Sequence, residues 1–229
     1  MWRSVLAPIH PDGWVFIATA ALLALILFWL GATPLGWLMV VVTLWIAYFF
    51  RDPWRVTPTR PGLVVSPADG MVVVTDQAPP PKELAMGDQP MTRIGIFLNV
   101  FDVHINRTPL GGRVKKLAYT KGKFVNASLD KASEDNERMA VRIASAEGPD
   151  VAVVQIAGLV ARRIVTRLTE GQELATGERF GLIRFGSRTD VYLPPEWAPL
   201  VAVGQRVIGG ETVIADAVSR EPARQGRMH

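Results

Sequence analysis

The sequence predicts a mainly β protein, an antiparallel sandwich or half-barrel, with a hydrophobic helical hairpin at its N-terminal end. Three observations lead there. Residues 13–50 contain no charged side chain. After Asp52-Pro53 the chain breaks into short β-branched runs separated by Gly, Pro and Asp, the pattern of strands joined by tight turns. No long stretch with helical apolar spacing interrupts those runs.

The charge-free segment divides at Gly31-Ala32-Thr33-Pro34, where glycine and proline are turn-forming residues. Trp14–Leu30 and Leu35–Phe50 are apolar runs of 17 and 16 residues, short against the roughly 20 of a full helical span. A tight hairpin that crosses or dips into a bilayer fits this pattern better than one long helix. Trp14, Trp29, Trp37, Trp45 and Tyr48 sit toward the run ends, as interfacial aromatics do. A secretory signal fits less well, since Arg3 is the sole cation ahead of an over-long apolar region. Two buried helices of a soluble core are the remaining alternative. Arg51, Arg55 and Arg60 come directly after the second run, so the positive-inside rule places the large domain on the cytoplasmic face of the cell membrane.

The strand runs are Leu63–Ser66, Met71–Thr75, Arg93–Val100, Arg113–Tyr119, Ala140–Ile143, Val151–Ala157, Arg162–Leu168, Arg179–Phe185, Asp190–Leu193, Arg206–Ile208 and Thr212–Ala215. Gln77–Pro90, with Pro79-Pro80-Pro81, is expected to be an irregular loop. Asn126–Arg138 is polar and suits a loop or a short helix. The expected organisation is a membrane-associated hairpin over 1–50, a β domain over 51–218, and a mobile polar tail over 219–229. A weak internal similarity is also present. Gly171-Gln172-Glu173-Leu174 with Gly177-Glu178, and Gly204-Gln205-Arg206-Val207 with Gly210-Glu211, share the form G-Q-x-[apolar]-x-x-G-E. The pattern is similar to the hairpins of biotinyl and lipoyl carriers. Their modifiable lysine has no counterpart here, because Lys131 in Asp130-Lys131-Ala132 is flanked by polar residues.

Composition removes several chemistries. The 229 residues include no Cys, which excludes disulfides, thiolate metal sites and cysteine nucleophiles. The three histidines are His10, His104 and His229, too few and too dispersed for a His-rich metal centre. A net charge of +4 lies entirely beyond residue 50. It suits an anionic lipid surface, and no nucleic-acid motif accompanies it.

Gly186-Ser187 stands between two apolar runs. A Gly-Ser pair is most often a turn. It can also cleave itself. The serine hydroxyl attacks the preceding glycine carbonyl, which is unhindered, and an ester replaces the amide. β-Elimination then releases the upstream chain and leaves a dehydroalanine, which water converts to a pyruvoyl group and ammonia. Such a terminal carbonyl is an electron sink for decarboxylation of an amine-bearing substrate. His104 is flanked by apolar residues, and by pattern alone it is either a structural histidine or a base. Asp69, in Ser66-Pro67-Ala68-Asp69-Gly70, is by pattern an Asp-Gly turn between strands.

Taken in order, several stretches carry a resemblance. They are Tyr48–Pro53, Ser66–Gly70, Phe97–Arg107, Asp130–Arg138, Gln155–Gly158 with Val160–Ile164, Arg184-Phe185-Gly186-Ser187, and Glu211–Ala215. The chain resembles the phosphatidylserine decarboxylase family, in its short form with an N-terminal hydrophobic region. That resemblance implies a self-cleaving proenzyme converting phosphatidylserine to phosphatidylethanolamine and CO2. Gly186 and Ser187 would flank the cleaved bond. Ser187 would become the covalent pyruvoyl cofactor, and a β chain (1–186) and an α chain (187–229) would remain together as a heterodimer. Asp69 would orient or charge a histidine, and His104 would act as base toward Ser187 and in proton transfer. Longer members carry H-x-x-H-x-P, whereas this chain has His104-Ile105-Asn106-Arg107-Thr108-Pro109. Arg107 replaces the second histidine and cannot serve as a base near neutral pH. The usual G-S-T or G-S-S is Gly186-Ser187-Arg188 here. Candidates to meet the lipid phosphate and carboxylate are Arg107, Arg138, Arg188, Lys121 and Lys123, solvated surface charge being the alternative for most of them, and Asn136 joins the expected substrate contacts. A membrane-anchored β-sandwich adaptor and a pyruvoyl decarboxylase of another amine are the competing readings.

Overall fold

A computed structural model describes residues 7–122, 136–146, 148–158, 163–184 and 187–227. The chain forms two compact units, Met1–Trp54 and Arg55–His229.

In the first unit α1 (Trp14–Trp29) continues a 3-10 turn over Pro11–Gly13, and α2 (Thr33–Phe49) runs back beside it. Pro11–Trp29 is long and apolar enough to cross a membrane by length and composition, and α2 is shorter. The turn is tighter than the sequence suggests. Thr33 and Pro34 already belong to α2, where proline in the first turn costs no hydrogen bond. Gly31 makes the reversal at φ +74°. Small residues let the helices approach. Ala20 and Ala24 are buried, and a Cβ on Gly36 would come within 2.7 Å of the Phe28 ring. The Thr19 and Thr43 hydroxyls donate to the carbonyls of Val15 and Met39 one turn back, so neither needs a partner outside its own helix.

The second unit is mainly antiparallel β. Its strands are β1 (Leu63–Val65), β2 (Gly70–Ala78), β3 (Met91–Leu98), β4 (Ile105–Arg107), β5 (Gly112–Thr120), β6 (Arg138–Ser145), β7 (Val151–Ala157), β8 (Ile164–Thr166), β9 (Glu173–Leu174), β10 (Arg179–Ile183), β11 (Ser187–Leu193), β12 (Arg206–Val207) and β13 (Val213–Asp216). Eight of them form one sheet in the order β12-β2-β3-β11-β7-β6-β5-β9, with β4-β10-β8 and β1-β13 as smaller sheets. The largest apolar cluster fills one face of the long sheet, with Ile94, Ile96, Leu98, Val151, Val153, Val191 and Leu193. A smaller cluster, including Leu84, Ala152, Val154, Ile156 and Tyr192, lies on the reverse face.

Three expectations shift. β11 begins at Ser187 rather than Asp190, so Ser187 is a strand residue rather than part of a turn. The Gln77–Pro90 segment is partly regular, since β2 reaches Ala78 and Lys82–Leu84 is a 3-10 turn. β4 and β9, three and two residues long, give no periodic signal and escape sequence reading. Gly186, Lys123, Lys131 and most of Asn126–Arg138 lie outside the described residues. In the C-terminal segment, the Arg224 N–H donates to the Pro199 carbonyl at 3.0 Å.

The weak G-Q similarity is the visible part of an internal duplication. Gly171, Gly177, Gly204 and Gly210 have φ of +87°, +76°, +89° and +79°. In each copy the glutamine side-chain oxygen accepts a backbone N–H three residues upstream, from Thr169 to Gln172 and from Ala202 to Gln205, both at 3.2 Å. Gly171 N–H donates to Val114 O, and Gly204 N–H to Val72 O, both at 2.8 Å. Ser66-Pro67-Ala68-Asp69-Gly70 leading into β2 corresponds to Thr108-Pro109-Leu110-Gly111-Gly112 leading into β5. Both strands break register at the same step, Val72/Val74 and Val114/Lys116. The copies also clasp each other. Val65 N–H donates to Pro109 O and Arg107 N–H donates to Pro67 O, each at 2.8 Å. The result is approximate two-fold symmetry, with β12 and β9 at opposite edges of the long sheet.

Candidate active site

Ser187 opens β11 and is fully buried. It pairs with Leu98 of β3 on one side and Ala157 of β7 on the other. The Ser187 hydroxyl has no hydrogen-bond partner among the described residues. Buried polar atoms are rarely left so, and a hydroxyl unspent on structure is available for chemistry. Asn136, also buried, donates from Nδ2 to the carbonyl of Ala157 at 2.7 Å and fixes the strand opposite Ser187.

His104 immediately precedes β4 and is fully buried. Its Nδ1 lies 3.0 Å from the Asp102 carbonyl oxygen. A carbonyl can only accept, so Nδ1 carries a proton, and Nε2 is the ring position left for proton exchange. The His104 carbonyl accepts the Ile183 N–H at 3.3 Å, close in sequence to the start of β11. The Asp69 loop reaches the same strand through the Arg107–Pro67 bond. Asp69 accepts Arg55 Nη2 on Oδ2 at 2.6 Å and the Gly209 N–H on Oδ1 at 2.8 Å. Gly70 must be glycine here, because a Cβ would lie 2.2 Å from the Phe97 carbonyl oxygen. The Asp69 loop, the His104 segment and the start of β11 thus lie toward the same end of the long sheet, and the Ser187 hydroxyl is hydrogen-bonded to neither Asp69 nor His104.

Strand alternation sorts the other candidates. Ser187 and Thr189 share the face of Gln155, whereas Arg188 and Asp190 face the other way. On the Ser187 face a buried network ties the sheets together. Asn106 of β4 donates from Nδ2 to Thr189 Oγ1 at 3.1 Å and accepts Gln155 Nε2 on its Oδ1 at 2.8 Å. Gln155 Oε1, like Ser187 Oγ, has no partner among the described residues. Arg107 is buried and donates from Nη1 to the Gly177 carbonyl at 3.1 Å.

The reverse face is closed by charge pairing. Arg188, fully buried, holds Asp190 bidentately at 2.6 and 3.1 Å. The pair lies over Gly95, where a Cβ would crowd both groups at 2.8 Å. Burial pushes the Asp190 carboxyl up, and Arg188 and Arg93 pull against that rise. Burial, with Asp190 adding to it, pushes Tyr192 up to about 12. Arg138 belongs to this face too. It donates to Glu83 at 2.6 Å and lines a cavity of about 500 Å3 with Arg93 and Tyr192. Of the six expected headgroup contacts, Asn136 and Arg107 thus lie on elements joined to Ser187 and His104, Arg138 and Arg188 serve the reverse face, Lys121 is exposed after β5, and Lys123 lies outside the described residues.

Asn106, Gln155, Thr189 and the Asp102 carbonyl carry site geometry without having been singled out from sequence. A signal existed for Gln155: it is the lone polar residue in the apolar run Val151–Ala157.

Comparison with known proteins identifies the family. Residues 42–215 match the family described as phosphatidylserine decarboxylase. The phosphatidylserine decarboxylase proenzyme of Cereibacter sphaeroides is 57% identical over 226 residues, covering 99% of this chain and 97% of the relative. That of Paramagnetospirillum magneticum is 58% identical over 221 residues, covering 96% and 92%.

Proposed function

The chain belongs to the phosphatidylserine decarboxylase family, and from that membership we propose that Ser187 is the residue at which this proenzyme cleaves itself and builds its cofactor. The protein is a decarboxylase that converts phosphatidylserine to phosphatidylethanolamine and CO2, and family membership favours that enzyme over a non-catalytic adaptor. The observation that carries the assignment of Ser187 is its buried hydroxyl, which has no structural partner among the described residues.

Cleavage falls between Gly186 and Ser187, giving a β chain of residues 1–186 and an α chain of residues 187–229. The two remain together because β11 is paired along both edges, to β3 and to β7. Ser187 fits conversion to a pyruvoyl group, because it is buried, anchored by its backbone and free of a structural role for its side chain. Residue 187 would hold the pyruvoyl group, which would supply an electron-accepting carbonyl for decarboxylation of an amine-bearing substrate. His104, through Nε2, receives the Ser187 hydroxyl proton during maturation and holds a proton for return to the product carbon during turnover. The Asp69 carboxylate, set by Arg55 and the Gly209 N–H, supplies negative charge toward the histidine strand. Arg107 stands where longer relatives carry a second histidine, so the two proton-handling jobs fall to His104. Arg107 and Asn136 hold the substrate headgroup side of the site. The hairpin of α1 and α2 anchors the enzyme to the cell membrane, with the β unit on the cytoplasmic face, in line with the cations Arg51, Arg55 and Arg60.

Intact mass of the purified full chain tests this. Two pieces ending at Gly186 and beginning at residue 187 are expected, the smaller lighter than its encoded sequence by the mass of ammonia. Ser187→Ala should give one unbroken, inactive chain. An active protein that is a single chain with an ordinary serine at 187 would refute the assignment.

A further inference from the structure

The duplication provides an internal control for the protein surface. Equivalent outward positions at the two sheet edges carry different chemistry. At the β9 edge Arg113 faces Glu173 across the strands as an ion pair at 2.6 Å, with Glu170 and Ala175 flanking. At the β12 edge the equivalents of Arg113, Glu170 and Ala175 are Met71, Val203 and Ile208. Those apolar side chains are 40%, 58% and 43% exposed. Strand alternation keeps Val207 inside and turns Arg206 and Ile208 outward.

Phe101 adjoins this edge. It is 59% exposed at the tip of the turn Asn99–Asp102. The turn is rigid: the Asn99 side chain accepts the Phe101 N–H at 3.1 Å, and Asp102 Oδ2 accepts the Asn99 N–H at 2.8 Å. Arg206 binds the same Asp102 carboxylate. The Asp102 carbonyl in turn fixes the His104 tautomer. One turn therefore holds an aromatic ring in solvent and a histidine in the buried site. One cation accompanies the patch: Arg206, 64% exposed, lies at its centre.

We infer that Phe101, Met71, Val203 and Ile208 form a wedge that enters an anionic phospholipid bilayer, with Arg206 against the headgroups. This rests on the assigned phospholipid substrate, whose acyl chains stay in the bilayer while its headgroup reaches His104. Apolar area entering lipid and the exposed Arg206 guanidinium meeting anionic headgroups both favour this placement. The surface belongs to the β unit rather than to the apolar hairpin, and it links bilayer contact to the histidine through Asp102.

The chain has no cysteine, so single labels can be placed cleanly. The full chain is reconstituted in phosphatidylcholine–phosphatidylserine vesicles with an environment-sensitive fluorophore at Phe101→Cys or, at the opposite edge, at Glu173→Cys. The label at 101 should shift blue and be quenched by nitroxide lipids, while the label at 173 stays in water. Equal behaviour at both positions would overturn the inference, and this readout does not depend on catalysis. Activity gives the second arm. Met71→Arg, Val203→Glu and Ile208→Ala together install the other edge's residues. They should lower turnover of vesicle phosphatidylserine about tenfold or more while sparing monomeric short-chain phosphatidylserine and chain cleavage. Unchanged vesicle turnover, or equal loss on both substrates, would also overturn it. A wild-type protein inactive on both substrates with a lipid-buried label at 101 would instead count against the functional assignment and leave the wedge standing.

Discussion

The turns flanking β9 and β12 share a backbone and differ in what they do. Each places two glycines at positive φ, closes with a glutamine-to-backbone bond, and docks onto the strand following an [S/T]-P motif. In the β12 copy the neighbouring loop carries Asp69, which takes the Gly209 N–H. In the β9 copy the equivalent position is Gly111, packed near Thr176. The β12 copy shows solvent Met71 and Ile208, while the β9 copy shows it an Arg113–Glu173 ion pair. Backbone-determining residues are thus kept in both copies, while the side chains able to carry chemistry differ between them: Asp69 belongs to the β12 copy, and His104 and Arg107, at the positions of Gly62 and Val65, belong to the β9 copy.

The sharpest way to break this comparison is a pair of changes at the equivalent loop positions. Asp69→Asn keeps an acceptor for Gly209 and loses the charge. It should slow maturation or turnover by on the order of 100-fold or more, read by cleavage kinetics on gels and by CO2 release. Gly111→Ala should leave both unchanged, since an added Cβ finds its nearest neighbour at 3.5 Å. Equal effects at the two sites would erase the functional asymmetry.

The backbone half of the comparison predicts symmetry instead. Gly177→Ala and Gly210→Ala should each destabilise the fold by roughly 1–3 kcal/mol, because both sit at positive φ and an added Cβ crowds Thr57 in one and Arg107 in the other. Melting temperatures of detergent-solubilised protein should fall for both. A loss in one copy alone would mean that the two turns are not energetically equivalent.

The smallest effect concerns pH. Asp216, at the end of β13, is bound by Arg60, and its counterpart in the other copy is Ile183. Burial raises its carboxyl, but the bonds from Arg60 and from the Val218 and Ser219 N–H groups outweigh that and hold it below the ordinary aspartate range. A depressed carboxyl stabilises the fold above its unfolded value, and the gain is lost as pH falls through the folded value. Asp216→Asn should lower the melting temperature near neutral pH by a few degrees, corresponding to about 1 kcal/mol because Arg60 is solvated. The difference from the parent should vanish in acid. A gap that persists there would assign the effect to packing rather than charge.

Much of the fold was legible because its determinants are local. The charge-free run gave the helical hairpin, and β-branched runs between turn residues gave most strands. The G-Q spacing exposed part of the duplication. β4 and β9 were not legible, since two or three residues hold no period and exist through the strands beside them. At the site, Ser187, His104 and Asp69 drew notice by residue type and context. Gln155 and Asn106 did not, because a buried amide acquires meaning from what it meets.

Sequence alone determined which segments bury apolar surface, where the chain turns, and which residues have groups able to act as nucleophile, base and carboxylate. These come from side-chain chemistry and nearest-neighbour backbone preference. Tertiary structure decided which face each group occupies. Starting β11 at Ser187 sends that serine to the His104 side and sends Arg188 to pair with Asp190 behind it. In a strand, one residue of register separates the two faces, and register is set by pairing with β3 and β7, partners far away along the chain.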